Sequence, residues 1–186
     1  IPHIRTQDDS IATHLDRLSQ LYTNGLRHVL FISGDVIKDH NDSGVRPVEL
    51  IRETKATLPD LKVYAGIDPY RQSFEAECDY ANQKLEAGAD GLFSQPFFDT
   101  KLLTSYLNTF SHTAFFCGVS PVTSPQSKTY WETVNHVTFV ESFECTLEYH
   151  AQLGKDLLAV SKQFKQHAYL MPIRTPVEGY LKSIFT

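Results

Sequence analysis

The chain has 186 residues, 41% of them hydrophobic and 21% charged, which is enough for one domain with a sizeable core. Its net charge of -5, with no run of Lys or Arg, argues against nucleic acid and anionic membranes as partners, and no apolar stretch approaches the ~20 residues of a membrane span. Three cysteines without a C-x-x-C pair indicate reduced thiols and a cytoplasmic protein.

Short apolar runs alternate with segments of helical periodicity along the whole chain. Asp99 is placed to cap a helix, Gly88 to end one and Pro96 to stop a strand. Residues 36–46 are polar and predict a loop, whereas residues 137–140 have strand composition but are too few to decide. The predicted strands are 1–5, 27–32, 62–67, 91–94, 114–119 and 169–173, and the predicted helices are 11–24, 47–58, 74–87, 99–110, 126–135, 147–166 and a closing helix from 176.

This alternation predicts parallel βαβ units, and hence an α/β fold with one parallel sheet. Six strands fit either a flavodoxin-like open sheet or most of a (β/α)8 TIM barrel, which has about 250 residues in its typical form. In both folds ligands bind at the carboxyl ends of the strands. The pattern therefore predicts the location of a ligand site but not the chemistry of that site.

Polar side chains follow nearly every predicted strand. They include a histidine, arginines, one amide and a Gly-Asp turn, a set that suits a large, polar, partly anionic ligand better than a hydrolytic triad. No G-x-G-x-x-G, Walker A, H-E-x-x-H or G-x-S-x-G motif is present, and Cys117 lies within an apolar strand, as a buried inert thiol would. The strand-end residues are His3, Arg5, Ser33, Gly34, Asp35, Asp68, Arg71, Gln95, Ser120, Thr123 and Arg174.

Several of these motifs, taken in order, resemble the methylenetetrahydrofolate reductase family. The similarity covers nearly all of the chain, and its most specific part lies between residues 73 and 99. The matching residues are Pro2-His3, Arg27-His28-Val29, Gly34-Asp35, Ser73 to Glu77, Lys84, Ala87 to Asp90, Gln95-x-Phe97-Phe98-Asp99, Gly118-x-x-Pro121-Val122, Tyr169 and Arg174.

The resemblance implies a (β/α)8 barrel that binds FAD at the carboxyl ends of its strands. In that family NAD(P)H reduces the flavin, which passes hydride to 5,10-methylenetetrahydrofolate and gives 5-methyltetrahydrofolate for methionine biosynthesis. By position, Asp35 is similar to the family carboxylate beside flavin and folate, where its charge would tune the electron affinity of the flavin ring. The resemblance also implies that Gln95 hydrogen-bonds the pterin, that Arg174 lies near the folate tail, and that Gln126 contacts folate.

The resemblance further implies a set of FAD contacts. Lys84 suits a phosphate and Glu77 a ribose or adenosine hydroxyl, while Tyr64 aligns with a tyrosine at the flavin. The family arginine before Gly-Asp is Ser33 here, and we hypothesise that Arg71 restores the lost cation. The whole set is His3, Ser33, Gly34, Asp35, Tyr64, Arg71, Glu77 and Lys84.

The largest departure is at the front of the chain. Two strand-helix units precede the Pro-His strand in the family, and the first carries the glutamate that acts as general acid on folate. We therefore expect residues 1–186 to be one incomplete barrel domain of about six strands, with a native protein that extends upstream of Ile1. Two alternatives stay open: a relative that binds folate or transfers methyl groups without flavin, and a non-catalytic barrel. Because the family is generally oligomeric, self-association is expected.

Overall fold

The computed structural model describes residues 1–34 and 42–186. Within them, six strands form one sheet whose order follows the chain. The pairs β1–β2, β2–β3 and β5–β6 are parallel, with His3 aligned with Leu30, Leu30 with Tyr64, and Gly118 with Tyr169. The strands are β1 (His3–Arg5), β2 (His28–Ile32), β3 (Lys62–Ile67), β4 (Gly91–Pro96), β5 (Ala114–Val119) and β6 (His167–Leu170). The helices are α1 (Ile11–Thr23), α2 (Pro47–Thr57), α3 (Phe74–Glu86), α4 (Thr100–Thr109), α5 (Pro125–Thr133), α6 (Leu147–Gln163) and α7 (Val177–Phe185), with a 3-10 turn at Thr6–Asp8.

The sequential strand order identifies the fold class. A doubly wound, flavodoxin-like sheet reverses its strand order at a switch point, whereas a (β/α)8 barrel adds each strand beside the previous one. The order β1 to β6 has no reversal, so the flavodoxin-like alternative is excluded for the described residues. The prediction of a TIM-barrel fold with six of its eight strands is confirmed.

Capping residues begin the helices where the sequence predicts them. The Asp99 carboxylate accepts a hydrogen bond from the Lys101 N–H, and the Ser73 hydroxyl accepts one from the Ala76 N–H. Ser10 caps α1, because its hydroxyl accepts from the Thr13 N–H. These caps make the ends of the strands and the starts of the following helices well defined.

The last strand differs from its predicted bounds. The structure also decides residues 137–140, whose secondary structure the sequence left open. The strand predicted over 169–173 is β6, two residues earlier, because the Ile173 N–H donates to the Met171 carbonyl and closes a tight turn around Pro172. Residues 137–140 are not a strand; Phe139 packs instead against a cluster of buried aromatic and aliphatic side chains. Side-chain packing outweighs strand propensity in so short a segment.

The chain divides into two compact units. Unit 1 comprises Ile1–Ile67 and Cys78–Phe93, and unit 2 comprises Asp68–Glu77 and Ser94–Thr186. The prediction of one domain over residues 1–186 stays a prediction. In the described part of the chain no helix is both long and apolar enough to cross a membrane.

In unit 1 the carboxylate of Asp90 joins the start of β4 to β3. It accepts hydrogen bonds from the Val63 N–H at 2.9 Å, from Lys55 Nζ at 3.1 Å and from Lys62 Nζ at 2.8 Å. Burial by itself raises the pKa of Asp90, but these three donors more than offset it and the pKa lies below its ordinary value. The Asp90 carboxylate therefore fixes the start of β4 against β3.

Candidate functional site

The carboxyl end of β4 is bound closely to β5 in unit 2. The Gly118 N–H donates to Ser94 Oγ at 2.9 Å, and the Phe97 N–H donates to the Gly118 carbonyl at 3.0 Å. A Cβ atom added at Gly118 would lie 2.9 Å from the Ser94 carbonyl oxygen and 3.1 Å from the Gln95 carbonyl carbon. Only glycine permits this separation of the two strands, so Gly118 determines where Gln95 sits.

Tyr169 binds the same strand end from β6. Its register partner is Gly118, and its hydroxyl donates to the Ser94 carbonyl oxygen. Burial raises the pKa of Tyr169 far above its ordinary value, so the phenol stays neutral and remains a donor. The Ser94 backbone and side chain are therefore satisfied by two different strands, which leaves the next residue, Gln95, on a rigid support.

Gln95 is half-buried, and its amide forms no side-chain hydrogen bond with any residue that the structure describes. An amide offers two N–H donors and a carbonyl acceptor with two lone pairs. On a rigid strand end, such a group is prepared to bind a ligand that presents neighbouring donors and acceptors. Gln95 is the predicted site residue whose local geometry best fits its predicted role.

The loops after β5 and β6 are joined by hydroxyl groups. Ser120 Oγ donates to the Met171 carbonyl at 2.7 Å, and the hydroxyls of Thr123 and Thr175 lie 3.2 Å apart. Arg174, between these contacts, is exposed and has a left-handed backbone with φ of 55°. Such a backbone costs a non-glycine residue of order 1 kcal/mol, and it presents the exposed guanidinium from a loop that is held on both sides.

Gln126 is exposed in the first turn of α5, a helix whose first backbone groups are capped by Ser124. The Ser124 hydroxyl accepts from the Ser127 N–H at 3.2 Å. No hydrogen bond links Gln126 to Gln95 or Arg174 among the described residues. All three belong to unit 2, but on three separate segments: a strand end and two exposed loop or helix positions.

A buried carboxylate organises the segment between β3 and α3. Glu77 is 0% exposed, and it accepts hydrogen bonds from the Asp68 N–H at 3.0 Å, from Gln72 Nε2 at 2.8 Å and from Arg71 Nη2 at 2.9 Å. The structure thus brings Arg71 and Glu77 together as an ion pair. The Arg71 guanidinium donates to a carboxylate of its own chain, and its role as a cation for a cofactor stays a prediction.

Tyr70 extends this segment toward β4. The Tyr70 N–H donates to Asp68 Oδ1 at 3.0 Å, and the Tyr70 hydroxyl accepts from the Phe98 N–H at 3.1 Å. The two rings stack with centroids 6.2 Å apart. Burial is the main reason that the pKa of Tyr70 is raised far above its ordinary value. Tyr70 is not among the predicted site residues. In the sequence, only the Asp68-Pro69-Tyr70 turn after β3 pointed to a role for it.

In unit 1, Lys84 is used internally. Its side chain is buried, with 3% exposed, its Nζ donates to the Gly66 carbonyl at 2.7 Å, and the same Nζ lies 3.9 Å from the centre of the Tyr80 ring. A phosphate could reach this ammonium group only after the packing around it had opened. Lys84 in this conformation supports the end of β3.

The ends of β1 and β2 meet at Arg5 and Gly34. Gly34 has φ of +85°, and a Cβ atom added there would lie 2.2 Å from Arg5 Nε. Arg5 also pairs with Asp8 at 3.3 Å. His3 is exposed and Ser33 half-buried. Arg5 was named as a strand-end residue but not as a cofactor contact, and it is the guanidinium that lies beside the Ser33-Gly34 turn.

Three predicted residues remain: Asp35, Tyr64 and Cys117. Asp35, the predicted catalytic residue, lies outside the described residues. Tyr64 lies on β3, but its ring stacks on His28, the first residue of β2, and its hydroxyl is 3.3 Å from the His28 Nδ1 atom. That contact is at the amino end of β2, away from the strand ends that carry Gly34. Cys117 is buried, as predicted, and burial raises the pKa of its thiol to about 12; its inertness stays a prediction.

A sequence profile of the family described as methylenetetrahydrofolate reductase matches residues 1–157 of this chain. The chain belongs to the methylenetetrahydrofolate reductase family. This confirms the resemblance found in the sequence, and it makes a folate-related activity of an oxidoreductase-like enzyme the general expectation for the chain.

Two solved structures share the fold. A protein from Clostridium thermocellum, described as uncharacterized and as binding two copies of 5-methyl-5,6,7,8-tetrahydrofolic acid, superposes with a TM-score of 0.65 at 8% identity, over 98% of this chain and 70% of that one. The 2,3-dimethylmalate lyase of the PEP mutase/isocitrate lyase superfamily superposes with a TM-score of 0.55 at 12% identity, over 91% of this chain and 51% of that one. At these identities the likeness concerns the fold alone.

Proposed function

We propose that the chain binds a reduced folate in unit 2, with the Gln95 amide as the hydrogen-bonding partner of the pterin. The observation that carries the proposal is a half-buried amide, without a side-chain hydrogen bond to any described residue, on a strand end that Gly118 and Tyr169 hold in place. Membership of the methylenetetrahydrofolate reductase family supports it, and so does the binding of 5-methyltetrahydrofolate by a protein of the same fold.

The chemistry of folate suits the neighbouring groups. A pterin presents adjacent N–H donors and a carbonyl, which one amide can bind in two places at once. The glutamate tail of folate is a dicarboxylate, and the exposed Arg174 guanidinium is the side chain best suited to bind it. Gln126 is proposed as a further folate contact from the first turn of α5. In this arrangement the chain orients folate through its pterin and neutralises its tail.

For the reaction we propose the reduction of 5,10-methylenetetrahydrofolate to 5-methyltetrahydrofolate with NAD(P)H, as in the family, with Asp35 as its catalytic carboxylate. A cytoplasmic location and self-association are proposed on the same basis. When bound, FAD would supply the hydride-transfer chemistry between NAD(P)H and folate. The contribution of this chain's own residues would be to bind folate and to hold it in one orientation.

The residues expected to hold FAD do not all fit that cofactor. Ser33 and Gly34 are half-buried just after β2, and His3 is exposed at the amino end of β1, but Glu77 and Lys84 are buried and bonded within the chain. Because Glu77 is 0% exposed and Lys84 3% exposed, a ribose hydroxyl or a phosphate could reach either group only after the packing around it had opened. This observation favours a second candidate function, in which the chain binds folate or transfers a methyl group without flavin.

Spectroscopy and calorimetry separate these candidates. Purified protein is incubated with FAD, separated from free FAD, and its visible spectrum recorded; flavin bands with NADH oxidation in the presence of methylenetetrahydrofolate support the reductase. Folate binding without flavin bands supports the second candidate. The absence of 5-methyltetrahydrofolate binding by titration calorimetry would refute both.

Gln95→Leu tests the amide directly. The variant keeps the side-chain volume and removes the donor and the acceptors, so we expect the Kd for 5-methyltetrahydrofolate to rise at least about tenfold. Gln163→Leu, at an exposed position near the end of α6, is the matched control and should leave the Kd unchanged. Equal affinity in the Gln95→Leu variant and the wild type would show that the pterin does not bind Gln95.

A further inference from the structure

Glu77 holds the segment 68–72 by itself, without any group from outside the chain. Its two carboxylate oxygens accept from the Asp68 N–H, Arg71 and Gln72 at 2.8–3.0 Å, and the carboxylate is fully buried. Hydrogen bonds to a buried charge are about twice as strong as those between neutral groups. The segment is therefore fixed to the first turn of α3 by contacts within the chain.

Tyr70, in the middle of that segment, is oriented by the same network. Asp68 is joined to Glu77 through its N–H, and Asp68 Oδ1 in turn accepts from the Tyr70 N–H at 3.0 Å. This is an Asx-type turn, which determines the direction in which the following side chain leaves the backbone. The Tyr70 ring then lies on Phe98, at the edge of the cluster formed by Phe98, Val122, Trp131, Val137 and Phe143.

The Tyr70 hydroxyl meets the backbone three residues after Gln95. It accepts from the Phe98 N–H at 3.1 Å, while the adjacent Phe97 N–H donates to the Gly118 carbonyl at 3.0 Å. Phe98 is 5% exposed, so its N–H has little access to water, and losing its acceptor would leave a buried donor unsatisfied. The segment from Gln95 to Phe98 is thus held on one side by Gly118 and on the other by Tyr70.

We propose that Tyr70 is a positioning residue for folate binding, and that Glu77 acts through it by fixing the turn that presents its hydroxyl. This inference rests on the proposed function, because it names Gln95 as the group that is positioned. It assigns Glu77 and Arg71 an internal task in place of the cofactor contacts expected of them. The folate site of unit 2 is then preorganised in the absence of flavin.

The test compares Tyr70→Phe with Tyr149→Phe in the full chain. Both tyrosines pack on the same cluster, and both changes remove one hydroxyl, but the Tyr149 hydroxyl makes no side-chain hydrogen bond to a described residue. We expect the Kd for 5-methyltetrahydrofolate to rise about fivefold in Tyr70→Phe and to stay unchanged in Tyr149→Phe. Amide hydrogen exchange at Phe98 should become about tenfold faster in Tyr70→Phe alone.

A pair of Asp68 variants separates positioning from loss of the fold. Asp68→Asn keeps an oxygen that can accept the Tyr70 N–H and should preserve the Kd, whereas Asp68→Ala should raise it to the level of Tyr70→Phe. Wild-type affinity in both Tyr70→Phe and Asp68→Ala would overturn the positioning role and leave folate binding intact. Failure of the wild-type chain to bind 5-methyltetrahydrofolate would overturn the proposed function. An unchanged rate of amide hydrogen exchange at Phe98 in Tyr70→Phe would show that the Tyr70 hydroxyl does not protect the Phe98 N–H.

Discussion

Gly118→Ala is the change that most directly tests how β4 and β5 support Gln95. Gly118 lies within β5, and its backbone is not in the left-handed region, so alanine meets no conformational penalty there. The cost is steric. The new Cβ atom would lie 2.9 Å from the Ser94 carbonyl oxygen and 3.1 Å from both the Gln95 carbonyl carbon and the Pro96 nitrogen. All three are backbone atoms, which cannot rotate away as the end of a flexible side chain can.

The size of the effect follows from what must move. Overpacking a close contact of this kind costs about 1–3 kcal/mol. Separating the strands also lengthens the bonds from the Gly118 N–H to Ser94 Oγ and from the Phe97 N–H to the Gly118 carbonyl, each worth about 1 kcal/mol. The lower entropy of the unfolded alanine chain returns about 0.4–1 kcal/mol. We therefore expect a net destabilisation of about 2–4 kcal/mol.

Urea denaturation measures this free energy, and calorimetry with 5-methyltetrahydrofolate measures the effect on the Gln95 site. Gly179→Ala is the control: Gly179 lies in α7 with nothing within 4 Å of an added Cβ, so alanine should stabilise the protein by up to about 1 kcal/mol. Opposite signs for the two glycines are the expected result. If Gly118→Ala is as stable as the wild type, the close approach of β5 to the Gln95 backbone is not real.

Three further substitutions test charged and titratable groups by denaturation at several pH values. Asp90→Asn should cost about 1–2 kcal/mol at neutral pH. The pKa of Asp90 in the folded protein lies below its ordinary value of 3.8. The stabilisation by its carboxylate is therefore complete above pH 3.8 and is lost as the pH falls through the folded pKa. A stability difference between Asp90→Asn and the wild type that did not change with pH would contradict this. Burial lowers the pKa of His150 to about 4 from 6.5, so the wild type should lose stability as the pH falls from about 6.5 to about 4, and His150→Phe should remove that slope. Glu77→Ala should cost about 3 kcal/mol, since three donors lose their acceptor, whereas a cost below about 1 kcal/mol would mean that the carboxylate does not organise its turn.

The elements of the fold could be predicted because their signals are local. A run such as Val63 to Ile67, followed by a turn and a Ser73 cap, carries its own periodicity, and the structure has β3 and α3 where the pattern indicates them. The shift of β6 was missed because a tight turn around Pro172, rather than apolar composition, ends that strand. Most strand ends were predictable because turn and capping residues mark them locally. Gln95 was predicted as a site residue from its position at such an end.

The internal use of Glu77 and Lys84 could not be predicted from the sequence. Seven positions apart on α3, they share a helix face and resemble cofactor contacts, but their partners are the Gly66 carbonyl of β3 and backbone and side-chain groups of the turn after it. The same holds for the Tyr169 hydroxyl, whose acceptor at Ser94 is 75 residues away. No local pattern marks a hydrogen bond to a distant main-chain carbonyl.

The sequence by itself determined the alternation of strands and helices, the family and the amide at the end of β4, because side-chain periodicity and turn chemistry depend on neighbours in the chain. Only the tertiary structure decided which polar groups remain open to a ligand. Burial forces each buried charge to find partners, and those partners come from whatever backbone the fold brings near. Glu77 and Lys84 have such partners within the chain, whereas the Gln95 amide has no side-chain hydrogen bond to any residue from 1–34 or 42–186.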